Sequence, residues 1–298
     1  MKYKTLGRSG LEVSEVGFGC MSLGEDRAVN KALLHQALDS GITFFDTADL
    51  YQKGENEVAV GNAFKGMRDR VVLATKVGNQ WRPDGSGWDW NPTKAYILQA
   101  VEHSLKRLQT DHIDLYQLHG GTIEDPIDET IEAFEILKAQ GKIRAYGISS
   151  IRPNVIREYI KRSNIDSVMM QYSLLDRRPE EACLGLLQEQ GIGVLARGSL
   201  AQGLLVGKSP KPYLGHSEKE VAAAAEAVSR VAGNQRSVAE VAARYVLHHP
   251  AVTTAVLGIR TAAQLQDALH VAEAAPLQEQ GIEELKRAVQ ALRYEQHR

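Results

Sequence analysis

Cysteine is nearly absent from this chain. Only Cys20 and Cys183 occur in 298 residues, far apart and in no CxxC pair, so neither a disulfide framework nor a cysteine-based zinc site has support. An excess of one charge is also missing. The 35 Lys and Arg set against 37 Asp and Glu leave a net charge of −2, which supplies no basic field for gripping a nucleic-acid backbone. No apolar run approaches the roughly 18 residues of a membrane span, and the opening MKYKTLGRSGLEVSEVG lacks the apolar core of a signal peptide. The expectation is a cytoplasmic protein with a small-molecule partner, and with neither nucleic acid nor membrane as a partner. No HExxH or comparable ligand spacing occurs, and His248 and His249 simply precede Pro250, so no metal is expected. A G-x-G-x-x-G turn is missing too: GFGCMSLG follows the first β-rich run without that spacing, which counts against an open dinucleotide-binding sheet.

What the chain has is alternation. With 43% hydrophobic and 24% charged residues it reads as globular, and its length allows one large domain or two ordinary ones. Short apolar runs begin near Ser14, Ile42, Val71, Ile113, Ile143, Val168, Ile192 and Thr253, and amphipathic stretches follow them. Helices are predicted over 29–39, 56–64, 93–108, 127–140, 153–162, 179–190, 219–231 and 262–273. The third carries Ile97, Val101, Leu105 and Leu108 at helical spacing, and Gly41, Gly141 and Gly191 stand where helix ends need a left-handed cap. Eight βα units fit a (β/α)8 TIM barrel, about 250 residues with insertions, which assigns 1–298 to a single domain. An N-terminal hairpin over 1–13 is expected to close the barrel bottom. Extra C-terminal helices are expected within 217–248 and over 278–293.

In such a barrel the strand C-termini and following loops form the active face. Asp46 in ITFFDT, Tyr51 just after it, Lys76 in ATKV and His119 in LYQLH all lie there on the second to fourth strands. An ammonium beside a phenol favours its ionisation and lowers its pKa, a carboxylate can hold that ammonium charged, and a histidine can orient a carbonyl oxygen or relay a proton. The set suits protonation of an alkoxide forming on a carbonyl. Each residue alone also has a structural reading, as an ion pair, a loop anchor or a half-buried aromatic.

The strings GITFFDTADLYQKGENEVAVG, ATKVG, IDLYQLHG, GISSIRPNVI, MMQYSLLDR, GVLARGSLAQGLLVGK and VLGIRTAAQL together resemble the aldo-keto reductase family over essentially the whole chain. The resemblance implies a (β/α)8 barrel that binds NADPH without a Rossmann domain and reduces an aldehyde or ketone. Hydride would pass from the nicotinamide to the carbonyl carbon. By position Tyr51 is implied as the general acid, tuned by Lys76 and Asp46, with His119 orienting the carbonyl.

The same resemblance implies a cofactor site. Ser149, Ser150 and Gln171 match carboxamide positions, and Cys20 and Met21 border the ring. Gly198, Ser199, Leu200, Gly203 and Leu204 resemble the segment along the pyrophosphate. Gly258, Arg260, Thr261, Gln264 and Asp267 belong to the adenosine end, where a helix start and the Arg260 fork suit a 2′-phosphate. Several positions depart from the family pattern. Ser150 replaces an asparagine. Arg197 stands in place of a stacking aromatic, beside a ring that is positively charged when oxidised, and is expected to weaken NADP+ relative to NADPH. Ala268 replaces an asparagine that meets the adenine. Gln52 follows the tyrosine where glycine is usual.

All three tryptophans, Trp81, Trp88 and Trp90, fall in one loop after the lysine strand. Trp81 is the expected substrate contact beside Tyr51 and His119. The short chain after the last helix is not expected to fold over the mouth, which would leave a fairly open pocket. Two other readings stay open: a barrel aldolase using Lys76 as a Schiff-base nucleophile, and an NADPH-binding redox-sensing subunit.

Overall fold

A hairpin of β1 (Tyr3–Thr5) and β2 (Glu12–Ser14) opens the chain in the computed structural model, which describes residues 1–298. Strands β3 (Val16–Gly19), β4 (Phe44–Asp46) and β5 (Val72–Val77) follow, then a second hairpin, β6 (Asn79–Trp81) and β7 (Trp88–Trp90). The remaining strands are β8 (Ile113–Leu118), β9 (Ile143–Ser149), β10 (Ser167–Gln171), β11 (Gly193–Arg197) and β12 (Val252–Gly258). The helices are α1 (Arg27–Asp39), α2 (Glu55–Phe64), α3 (Lys94–Leu108), α4 (Ile127–Ala139) and α5 (Pro153–Arg162). They continue with α6 (Cys183–Glu189), α7 (Glu218–Ala232), α8 (Val238–His248), α9 (Ala262–Glu273) and α10 (Glu279–Ala288).

Eight strands, β3, β4, β5, β8, β9, β10, β11 and β12 in that order, pair in parallel and close on themselves. The barrel and its N-terminal hairpin are as the sequence predicts. One large apolar core joins the strands to the surrounding helices. A second, of nine side chains including Leu6, Phe44, Leu115, Met169 and Leu195, fills the barrel interior. Leu6 comes from the hairpin and is fully buried, which seals the bottom. Gly7 permits the seal, because a Cβ there would lie 2.1 Å from the Asp166 carbonyl oxygen and its φ is +54°.

Local chemistry sets the helix ends. Asp26 caps α1 through the amides of Ala28 and Val29, Thr93 caps α3, and Ser217 with Glu220 forms a capping box on α7. Two predicted helices have different bounds. The helix expected over 179–190 breaks at Ala182, leaving a short 3-10 turn at Arg178–Glu181 before α6. There Glu180 accepts from Tyr172 and Tyr245 at 2.9 and 2.8 Å and from Arg177, which fixes the turn. The terminal helix ends at Ala288, where Arg177 donates to the carbonyls of Lys286 and Val289. The 217–248 region holds α7 and, as expected, an additional helix, α8. No helix is long and apolar enough to cross a membrane.

Candidate active site

The end of β4 places Asp46 beside Lys76 on β5, whose segments run in register from Phe44 with Val72 to Asp46 with Ala74. The Lys76 Nζ donates to Asp46 Oδ2 at 2.7 Å, to the Thr47 carbonyl at 2.7 Å and to Tyr51 Oη at 3.4 Å. Three ammonium protons thus meet three acceptors in a buried setting. Because Tyr51 Oη accepts a hydrogen bond from Lys76, its own O–H is free to point elsewhere. His119, just past β8, is held by its amide on the Val77 carbonyl at 2.8 Å and sets its ring edge-on to Tyr51, with centroids 5.8 Å apart. Its Nδ1 is buried without a hydrogen-bond partner. The four predicted residues therefore converge on the wall of one cavity of about 1390 Å³.

Two supports hold this arrangement. Behind β5, Thr75 donates to Glu57 at 2.6 Å, and the fully buried Glu57 carboxylate also receives Arg107 at 2.6 Å. Above it, the chain leaves Tyr51 through Gln52 and Lys53, both left-handed with φ of 51° and 55°. The Gln52 side chain offsets that backbone cost by donating to the Leu23 carbonyl at 3.2 Å. Where the family pattern has glycine, this chain keeps the glycine conformation.

The electrostatics correct one expectation. Burial raises the Tyr51 phenol above its ordinary pKa and outweighs the opposing pull of Lys76, so the phenol is protonated near neutrality. That is the form a proton donor needs. Burial pulls the Lys76 ammonium down, but Asp46 and Tyr51 more than reverse this and hold it above its ordinary value. Burial, then Lys76 and Arg197, lower His119 to about 3, leaving a neutral imidazole.

The unfolded imidazole titrates near 6.5, so between about pH 6.5 and 3 the unfolded chain binds a proton that the folded one refuses. The contribution to stability is full above pH 6.5 and is lost as pH falls through that window. Thermal melts from pH 7.5 to 4.5 should show the wild type losing stability faster than His119→Asn, by up to about 1.4 kcal/mol per pH unit. Parallel pH profiles for the two would refute a buried neutral histidine.

Of the sequence-predicted cofactor residues, the cavity wall includes Met21, Ser149, Ser150, Gln171, Arg197 and the loop residues Gly198, Ser199, Leu200 and Gly203. At its far end it includes Gly258, Arg260, Gln264 and Asp267. Cys20, Leu204 and Thr261 are not brought to it. Cys20 is fully buried with its Sγ 3.8 Å from the Phe18 carbonyl oxygen, Leu204 is core, and Thr261 caps α9 by accepting from the Gln264 amide. None of the tryptophans lines the cavity either. Trp81 packs under Lys53, whose Nζ lies 5.3 Å from the ring centroid, and Trp88 is exposed. Trp90 covers Gly78 and Gly120 and donates to Asp125 at 3.0 Å, so hairpin β6–β7 braces the loop after His119.

Lys208 and Arg152 also line the cavity; both stand inside quoted motif strings, yet neither has a role assigned from sequence. The available signal was a basic residue inside a motif already placed at the cavity. The tail after α10 runs to the α5 N-terminus, where the His297 carbonyl accepts from the Asn154 amide at 2.8 Å. None of its residues lines the cavity.

The Aldo/keto reductase family model matches residues 15–290. The chain belongs to the aldo-keto reductase family. It is 50% identical over 307 residues to the uncharacterized oxidoreductase YqkF of Bacillus subtilis (strain 168), with each protein covered completely. The holo form of aldo-keto reductase AKR11C1 from Bacillus halodurans superimposes with a TM-score of 0.94 at 50% identity, covering 100% of this chain and 99% of that one. The apo form of that protein gives 0.86 at 47% identity, with the same coverage. This aldo-keto reductase is thus an oxidoreductase of a family that uses nicotinamide cofactors.

Proposed function

We propose that this reductase uses NADPH to reduce aldehydes or ketones to alcohols, with Tyr51 as the proton donor. The observation that carries the proposal is the hydrogen bond from Lys76 Nζ to Tyr51 Oη at 3.4 Å, which leaves the O–H of the phenol free beside His119, while burial keeps that phenol protonated. The bound cofactor supplies a hydride to the carbonyl carbon. Tyr51 gives its proton to the carbonyl oxygen as charge develops there, and Lys76 stabilises the resulting phenolate across the 3.4 Å contact. His119 lends a hydrogen bond to the same oxygen without a charge of its own. The same geometry disfavours Schiff-base chemistry, which needs a neutral amine, whereas Lys76 is held charged and its donors are all engaged.

The residues present fit a dinucleotide phosphate. Ser199 Oγ is buried on the cavity wall with no partner, and Lys208 and Arg260 line the same cavity without a carboxylate counter-ion. At the start of α9 the Arg260 amide donates to Gln264 Oε1 at 2.8 Å and the Gln264 amide is taken by Thr261. Selection of a 2′-phosphate therefore rests on the Arg260 guanidinium rather than on free helix amides.

Fluorescence titrations with NADPH and NADH test this. Arg260→Ala should weaken NADPH by about 10- to 100-fold, the range for a hydrogen bond to a charged group, and leave NADH nearly unchanged. Equal losses for both, or none, would remove Arg260 from the cofactor assignment. NADPH oxidation with a panel of aldehydes and ketones tests the reaction itself.

A further inference from the structure

We propose that Arg152 forms an anion subsite at the carbonyl end of the cavity, and that the preferred substrates are aldehydes or ketones that carry a carboxylate. The inference rests on the reductase reading above.

Sorting the cavity's cations by place isolates this residue. Lys76 is matched by Asp46. Lys208 and Arg260 lie on the loops after β11 and β12, at the phosphate end. Arg197 sits opposite its register partner Gln171 and donates to its side-chain oxygen at 3.2 Å. Arg152 stands apart, two residues beyond Ser150 in the loop after β9. That loop neighbours the β8 loop bearing His119, because β8 and β9 pair directly. Arg152 is half-buried, lines the cavity and has no carboxylate within ion-pair distance.

Its one side-chain hydrogen bond is from Nη1 to the carbonyl of Gly121, two residues past His119. A guanidinium carries five N–H donors in a planar fork, so most remain free for a ligand. A partly desolvated cation with no counter-ion is costly to keep, and that cost is offset when a ligand brings the anion. No competing anion stands at this end: His119 is neutral, the Lys76–Asp46 pair cancels, and Arg197, on the neutral Gln171 side chain, adds positive charge. Met21 after β3 and Ile151 after β9, both exposed and both lining the cavity from opposite sides of the barrel, give apolar surface to the chain between carbonyl and carboxylate. The fork favours a carboxylate through two parallel hydrogen bonds.

The contact with Gly121 offers a competing role, in which Arg152 only steadies the His119 loop. Steady-state kinetics on ω-oxo carboxylates of two to six carbons, each beside its methyl ester, separate the two roles. The wild type should prefer the acid to its ester at the best length. In Arg152→Met the acid-over-ester ratio of kcat/KM should fall about 10- to 100-fold, mainly through KM of the acid. Arg152→Lys should restore part of that ratio, since it returns the charge without the fork. Absence of a preference in the wild type, or a proportional loss on acid and ester in Arg152→Met, would overturn the subsite while leaving the reductase reading intact. Turnover of none of these aldehydes by the wild type would overturn the reductase reading, and the subsite with it.

Discussion

Tyr51→Phe should retain NADPH binding and lose carbonyl reduction by about 10²- to 10⁴-fold, the range expected for removal of a positioned general acid. The substitution deletes one oxygen and keeps the ring that packs edge-on against His119 at 5.8 Å and beneath Lys76 at 5.1 Å. Little else should change. The loss should appear in kcat and in kcat/KM alike, because the proton is delivered in the transition state and not on binding. Single-turnover decay of NADPH fluorescence with a saturating aldehyde would measure the chemical step directly. A decay rate within tenfold of wild type would remove Tyr51 as the donor.

Lys76→Met should have the second large effect, on two quantities together. It leaves Asp46, which is 5% exposed, without its counter-ion, and breaking a buried pair from one side costs about 3–5 kcal/mol of stability. It also removes the group that accommodates negative charge on Tyr51, so turnover should collapse with it. The two effects can be separated. The double variant Lys76→Met/Asp46→Asn removes both charges and should recover much of the stability in urea titration, while turnover stays lost. Recovery of activity along with stability would show that Lys76 acts only as a structural partner.

The fold was legible because its evidence is periodic. Eight apolar runs with helices between them admit few arrangements in a chain of this length, and all eight became barrel strands. The convergence of Asp46, Tyr51, Lys76 and His119 on one cavity was legible because each member sits at the end of a strand or just after it, where the barrel geometry brings the ends together. The misreadings lie where a side chain's direction depends on contacts distant in sequence. Trp81 stands next to the lysine strand, but hairpin β6–β7 turns it toward Lys53. Thr261 sits in a helix-start motif and spends its hydroxyl on the cap. The break at Ala182 depends on Glu180 meeting Tyr245, 65 residues away. The direction of the Tyr51 shift was missed for a related reason: a charged neighbour can be read from sequence, but the depth of burial that outweighs it cannot.

The plug of apolar side chains beneath the site has a kinetic consequence. Leu6, Phe44, Leu115, Met169 and Leu195 fill the barrel interior, and none of them can carry a proton. With Tyr51 as the proposed proton donor, the phenolate left after turnover meets no proton carrier among these side chains and is recharged from solvent on the side where substrate enters. A product alcohol still lying against Tyr51 would stand between the phenolate and that solvent. The acid is reset as the product leaves, and each cycle begins with a protonated donor only after the entrance has emptied.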